Sequence, residues 1–259
     1  MNRTTHMSIE QQLFTAQEIR DSSMSLQGLR VAITGGTAGL GLALVRELHT
    51  RGARVAFVAR TQSRVRAVER EIPGVHGIVG DVASKEDIHR IALQMLGRLG
   101  GVDVLINNAS ELGPTPLRLL ADTQCEDLEQ VFATNVLGPF RLTKGLLGSL
   151  TAAAREGHGA VVLNVSSDAA VNAYAGWGAY GASKAALAHL TRIWNQELEA
   201  EGVKLLALDP GDMDTSMHAR ALPDADPTQL KRPEAAASEF IAAIIDLLPH
   251  LQHAVRKAS

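Results

Sequence analysis

Cysteine occurs once in the 259 residues, at Cys125. An internal disulfide is therefore excluded, and the usage fits a reducing compartment. Basic side chains do not outnumber acidic ones: 25 stand against 28, for a net charge of -3. That balance leaves no cationic footprint for nucleic acid as a main partner. No apolar run approaches the ~20 residues of a membrane span, so no membrane partner is expected. Residues 1–9 lack the charged-then-apolar pattern of an export signal, and a cytoplasmic location is the expectation. The nine histidines are scattered without paired ligand spacing, so no metal site is expected. Nor does any internal repeat or low-complexity linker divide the chain. Residues 1–25 read as a polar extension, with one short helix around 8–19, and residues 26–259 as a single catalytic domain.

What is present is a regular alternation. Arg30-Val31-Ala32-Ile33-Thr34 is a short apolar run, which predicts a buried parallel strand. Further strands are expected over 54–59, 75–79, 102–106, 160–165 and 203–208. Between and after them, helices are expected following the glycines at 35–41, over 63–71, from Ser84, and over 178–200 and 233–248. A long helix over 126–150 should bend near Gly138-Pro139. Strands and helices in this rhythm imply right-handed crossovers and a parallel α/β sheet covered on both faces.

Thr34-Gly35-Gly36-Thr37-Ala38-Gly39-Leu40-Gly41 joins the first strand to the first helix. Glycines let backbone approach a pyrophosphate, and free amides at a helix N-terminus favour its charge. At the end of the second strand, an acidic residue would bind the ribose hydroxyls of NAD. Ala59 and Arg60 stand there instead, with Arg64 following. A guanidinium suits a 2′-phosphate, which favours NADP over NAD. Asp81-Val82 and Asn107-Asn108-Ala109 end the third and fourth strands, at the edge where such sheets bind ligands. Each also has a plain reading, as a helix cap or a turn. Tyr180 and Lys184 are one helical turn apart on one face. They read either as a half-buried tyrosine with a snorkelling lysine or as a phenol tuned downward by a fixed positive charge.

Together these segments resemble the short-chain dehydrogenase/reductase family over roughly residues 26–248. The glycines match its TGxxxGxG form, Asn107-Asn108-Ala109 its NNAG segment, and Tyr180 with Lys184 its YxxxK motif. Ser167 precedes Tyr180 by the family's usual spacing, Asn135 sits at its helix asparagine, and Pro210-Gly211 with Thr215 resembles PGxxxT. The resemblance implies a Rossmann-type doubly wound parallel sheet of six or seven strands. It also implies hydride transfer between NADP(H) and a small-molecule carbonyl or alcohol. Tyr180 would be the general acid/base, Lys184 would lower its pKa and bind the nicotinamide ribose, and Ser167 would bind the substrate oxygen. Asn135 would support a relay water. Gly35, Thr37, Gly39, Leu40, Gly41, Arg60, Asp81, Val82, Asn108, Ala109, Pro210, Gly211 and Thr215 would join Tyr180 and Lys184 around the cofactor.

The chain departs from the pattern at Ser110, where the family carries glycine, and at Asp168, Asp212 and Asp214. Carboxylates on both sides of a cleft suit a polar or cationic substrate, or else cap turns. Residues 111–117, 168–177 and 212–222 are expected to shape the substrate pocket. A homodimer through the long helix and the Tyr180 helix is expected. Tetramer contacts built on a seventh strand are in doubt, because 251–255 is the only stretch left to form it. Two further functions fit the fold: a catalytically silent NADP-sensing or scaffold protein, and an epimerase or dehydratase, which the glycine spacing disfavours.

Overall fold

Strand residues that are apolar on both faces bring six segments into one sheet in the computed structural model, which describes residues 25–248. The strands are β1 (Arg30–Thr34), β2 (Arg54–Ala59), β3 (His76–Val79), β4 (Val104–Asn107), β5 (Ala160–Val165) and β6 (Val203–Leu208). All pair in parallel, in the order β3-β2-β1-β4-β5-β6. Alternate side chains feed two separate cores. Val31 and Ile33 of β1 face one, with α1 (Gly39–Thr50), α2 (Gln62–Glu71) and α8 (Pro233–Leu247). Ala32 faces the other, with α3 (Lys85–Leu99), α5 (Gly138–Arg155) and the end of α6 (Gly178–Glu197). Burial on both faces explains why these strands read as unbroken apolar runs rather than alternating ones. The order reverses between β1 and β4, which opens a crevice at the carboxyl edge.

The expected elements are present, with shifted ends. β4 starts at Val104 rather than at residue 102, because the Val102 N–H donates to Ser149 Oγ at 2.8 Å instead of to the sheet. The long helix is divided. α4 (Cys125–Phe132) passes into a π-helical turn (Ala133–Leu137) before α5 begins with Pro139 in its first turn. The irregularity expected at Gly138-Pro139 thus begins earlier and holds Asn135, and such turns gather at functional sites. Within 212–222, expected only as pocket wall, a short helix α7 (Ser216–Ala221) forms, capped by Thr215 Oγ1, which accepts from the His218 N–H at 3.2 Å. The helix expected over 8–19 and the stretch 251–255 lie outside the described residues.

Candidate active site

The glycine turn is stitched to the neighbouring strand end. Thr34 Oγ1 accepts from the backbone N–H groups of Asn108 (3.0 Å) and Ala109 (2.9 Å), while Asn108 Nδ2 donates to the carbonyls of Thr34 (2.9 Å) and Gly35 (3.2 Å). Asn108 is therefore a brace for the loop as well as part of its wall. A Cβ on Gly41 would lie 2.2 Å from the Gly35 oxygen and 2.5 Å from Asn108 Nδ2. Gly35, Thr37, Gly39 and Leu40 line a cavity of about 290 Å³, but Gly41 does not. Gly41 thus has a packing role beneath the loop, where no side chain fits.

The start of α1 has no capping side chain, since Ala38 holds the N-cap position, and no acid in its first turn. Its first amides point an uncompensated positive end at the cavity. Arg60 and Arg64 line the same cavity, as does Arg220 of α7; Asp81 is its one carboxylate among the described residues. Bare amides, three guanidiniums and a glycine turn fit a dinucleotide with its phosphates. Arg60 is 62% exposed and 3.8 Å from Glu111 Oε2. Asp81 also forms a turn, its Oδ1 accepting from the Ala83 N–H at 2.9 Å, whereas the α3 cap is Ser84.

Tyr180 sits where this cavity meets a second one, of about 500 Å³. Its ring stands edge-on to Trp177, centroids 5.8 Å apart. Lys184 is buried one turn on; its Nζ donates to the Val165 carbonyl at 2.8 Å and lies 5.5 Å from the Tyr180 ring centre. The expected downward tuning of the phenol is not met in this form. Burial pushes Tyr180 up to about 12, against the lowering effect of the Ser167 and Ser110 hydroxyls. Burial likewise pulls Lys184 down to about 8. Desolvation disfavours the charged form of each group; it outweighs the hydroxyls at Tyr180 and the attraction of Asp209 at Lys184.

Ser167 Oγ contacts Asp168 Oδ1 at 3.1 Å and accepts from the Ala169 N–H at 3.2 Å. Asn135 lines neither cavity. Its amide donates to Glu111 O (2.8 Å) and Ser183 Oγ (2.9 Å), and its oxygen accepts from Glu111 N–H (2.7 Å) and Ser110 Oγ (3.3 Å). All four hydrogen-bonding positions of that side chain are taken. The Asn135 side chain thereby locks the π-turn to α6. Pro210 and Thr215 line both cavities, and Gly211 lines only the second.

A model of the family described as short chain dehydrogenase matches residues 30–226. The chain belongs to the short chain dehydrogenase family. It is 31% identical over 201 residues to L-xylulose reductase of Bos taurus, which covers 78% of each chain. Carbonyl reductase [NADPH] 2 of Sus scrofa is 30% identical over 194 residues, 75% of each chain. Among solved structures, 3-ketoacyl-(acyl-carrier-protein) reductase from Brucella melitensis, complexed with NADH, superposes with a TM-score of 0.79 at 26% identity, covering 88% of this chain and 93% of that one.

Several site residues of this short chain dehydrogenase were not singled out from sequence. Asp209, beside Pro210, lines the second cavity and opposes ionisation of Tyr180. Ser110, noted only as a departure from glycine, brings a second hydroxyl to the phenol. Arg220 and His218 enter through α7. A buried ladder under the site joins three elements: Asn107 Nδ2 donates to Asn164 Oδ1 and Asn164 Nδ2 to Thr191 Oγ1, both at 2.8 Å. The pairing of Asn107 with Asn164 across β4 and β5 follows from strand register, which a single sequence does not state.

Proposed function

We propose that the chain is an NADP(H)-dependent oxidoreductase interconverting a carbonyl and an alcohol, with Tyr180 as general acid/base. The observation that carries this reading is the position of Tyr180 at the junction of an anion-binding cavity and an aromatic, partly apolar one. When bound, the nicotinamide supplies or accepts the hydride. A phenol held near 12 stays protonated at neutral pH, as a proton donor to a carbonyl oxygen must. The fixed ammonium of Lys184, anchored on Val165 O, then stabilises the phenolate left behind. Ser167 orients the substrate oxygen beside the phenol. Asn135 acts as a positioning residue, through its bond to Ser183, whose hydroxyl in turn donates to the Tyr180 carbonyl at 2.6 Å.

NADP is preferred over NAD because no carboxylate ends β2, while Arg60 and Arg64 face the cavity. Replacing Arg60 with alanine is expected to reduce kcat/KM for NADPH by about tenfold to a hundredfold, the span for one lost charge-assisted hydrogen bond. Use of NADH should change little. A wild-type protein that prefers NADH would contradict the assignment.

The assembly proposed is a homodimer across α4, α5 and α6. Leu137 (41%), Ile193 (39%) and Phe140 (36%) are exposed there, and Phe140 stacks on Trp194 at 5.0 Å. Exposed apolar side chains grouped in this way are a feature of interaction surfaces. Light scattering at micromolar concentration should report a dimer for the wild type and a monomer for Ile193→Asp. A monomeric wild type removes the proposal.

A further inference from the structure

The second cavity carries a charge pattern that hydride transfer does not require. Asp168, Asp209 and Asp212 all line it, and among the described residues no lysine or arginine does. Two of these carboxylates are held by neutral donors. Asp168 Oδ2 accepts from the Tyr174 hydroxyl at 2.8 Å and Oδ1 from Ser167, and Asp209 Oδ1 accepts from the Gly211 N–H at 2.9 Å. Of the nearby cations, Lys231 pairs with Glu239 at 2.8 Å, and Lys184 donates to Val165 O while its ammonium is attracted to Asp209, leaving Asp168 and Asp212 without a lysine or arginine partner. His218 offers Asp212 only an imidazole nitrogen at 3.8 Å, and its other nitrogen, Nδ1, is buried without a partner. Trp177 and Tyr174 supply aromatic surface to the same space. Carboxylates such as Asp168 and Asp212, without a lysine or arginine partner and beside aromatic faces, attract a cation and repel an anion.

We infer that this cavity selects a small carbonyl or alcohol whose far end carries a cationic nitrogen, with Asp168 and Asp212 as its charge readers and Trp177 and Tyr174 as its walls. The selection rests on the proposed function, since Tyr180 at the mouth of the cavity fixes which end reacts. A substrate ending in carboxylate or phosphate is rejected by the same two carboxylates. His218 Nδ1 is left to meet a polar group of the substrate or a water beside it.

The test uses three ketones of one carbon skeleton, ending in a primary ammonium, a hydroxyl or a carboxylate. Each is assayed as a substrate of the NADPH-loaded protein and, separately, as a ligand by quenching of tryptophan fluorescence. The ammonium ketone should exceed the hydroxyl ketone by about tenfold in kcat/KM and in affinity, as one charge-assisted contact allows. The carboxylate should rank last. Asp212 is 77% exposed, so Asp212→Asn leaves the core untouched, and it should lower the ammonium-to-hydroxyl ratio by about fivefold. Equal use of the three, preference for the carboxylate, failure of the ammonium ketone to bind, or an unchanged ratio in Asp212→Asn overturns the inference. Preferred binding of the ammonium ketone with no turnover of any of the three sinks the proposed reaction and upholds the charge selection.

Discussion

Replacing Tyr180 with phenylalanine is expected to lower carbonyl turnover by about 10²- to 10⁴-fold, the usual contribution of a positioned general acid. The substitution removes one oxygen and keeps the ring against Trp177, so packing in this part of α6 is retained. Titration with NADPH should give an affinity close to that of the wild type, because the groups suited to phosphates are the glycine turn and the arginines rather than the phenol. Loss of turnover with retained binding separates an enzyme from a protein that only senses its cofactor. Turnover undiminished by this change would remove Tyr180 from the chemistry.

Lys184→Met should separate function from stability. The ammonium is fully buried, with one hydrogen bond to Val165 O, and burial lowers its pKa to about 8 from 10.5. Keeping it charged in the fold therefore costs roughly 3 kcal/mol. The folded protein binds fewer protons than the unfolded chain between those two values. Stability contributed by this group therefore rises with pH from about 8 toward 10.5, and below 8 the full penalty applies. Tyr180 acts in the opposite sense, but only above its ordinary value of 10. Thermal melts of the wild type should climb between about pH 8 and 10 relative to those of Lys184→Met, and at pH 7 the variant should be at least as stable. Its turnover should nevertheless fall by about 10²- to 10³-fold, as when one preorganised charge stabiliser is lost. A variant that melts far below the wild type at pH 7 would show that the ammonium stabilises the fold.

The parts of this molecule legible in the sequence are those governed by local spacing. The glycine turn, the interval from Tyr180 to Lys184 and the apolar strands each follow from a few consecutive residues, and the parallel sheet follows from their alternation. The parts not legible depend on what distant segments bring together. That Asn108 and Gly35 occupy the space a side chain on Gly41 would fill depends on a segment far along the chain. The web that Asn135 makes with Glu111, Ser110 and Ser183 spans three separate segments, and no local spacing announces it. The shift of Tyr180 runs upward because its burial outweighs the Ser167 and Ser110 hydroxyls, and no interval along the chain reports burial. Asp209 illustrates the same limit: it ends no motif, and only the position of β6 beside β5 brings it toward the phenol.

The central claim is that Tyr180 joins a cofactor cavity to a substrate cavity for reversible hydride transfer. Its most direct test follows nicotinamide absorbance while a panel of small ketones and aldehydes is offered to the wild type and to Tyr180→Phe, with NADPH and NADH in parallel. The expected result is carbonyl-dependent consumption of NADPH, faster than that of NADH, and nearly abolished in the variant. Carbonyl consumption that proceeds equally in Tyr180→Phe, or a wild type that binds NADPH and reduces nothing in the panel, would contradict it.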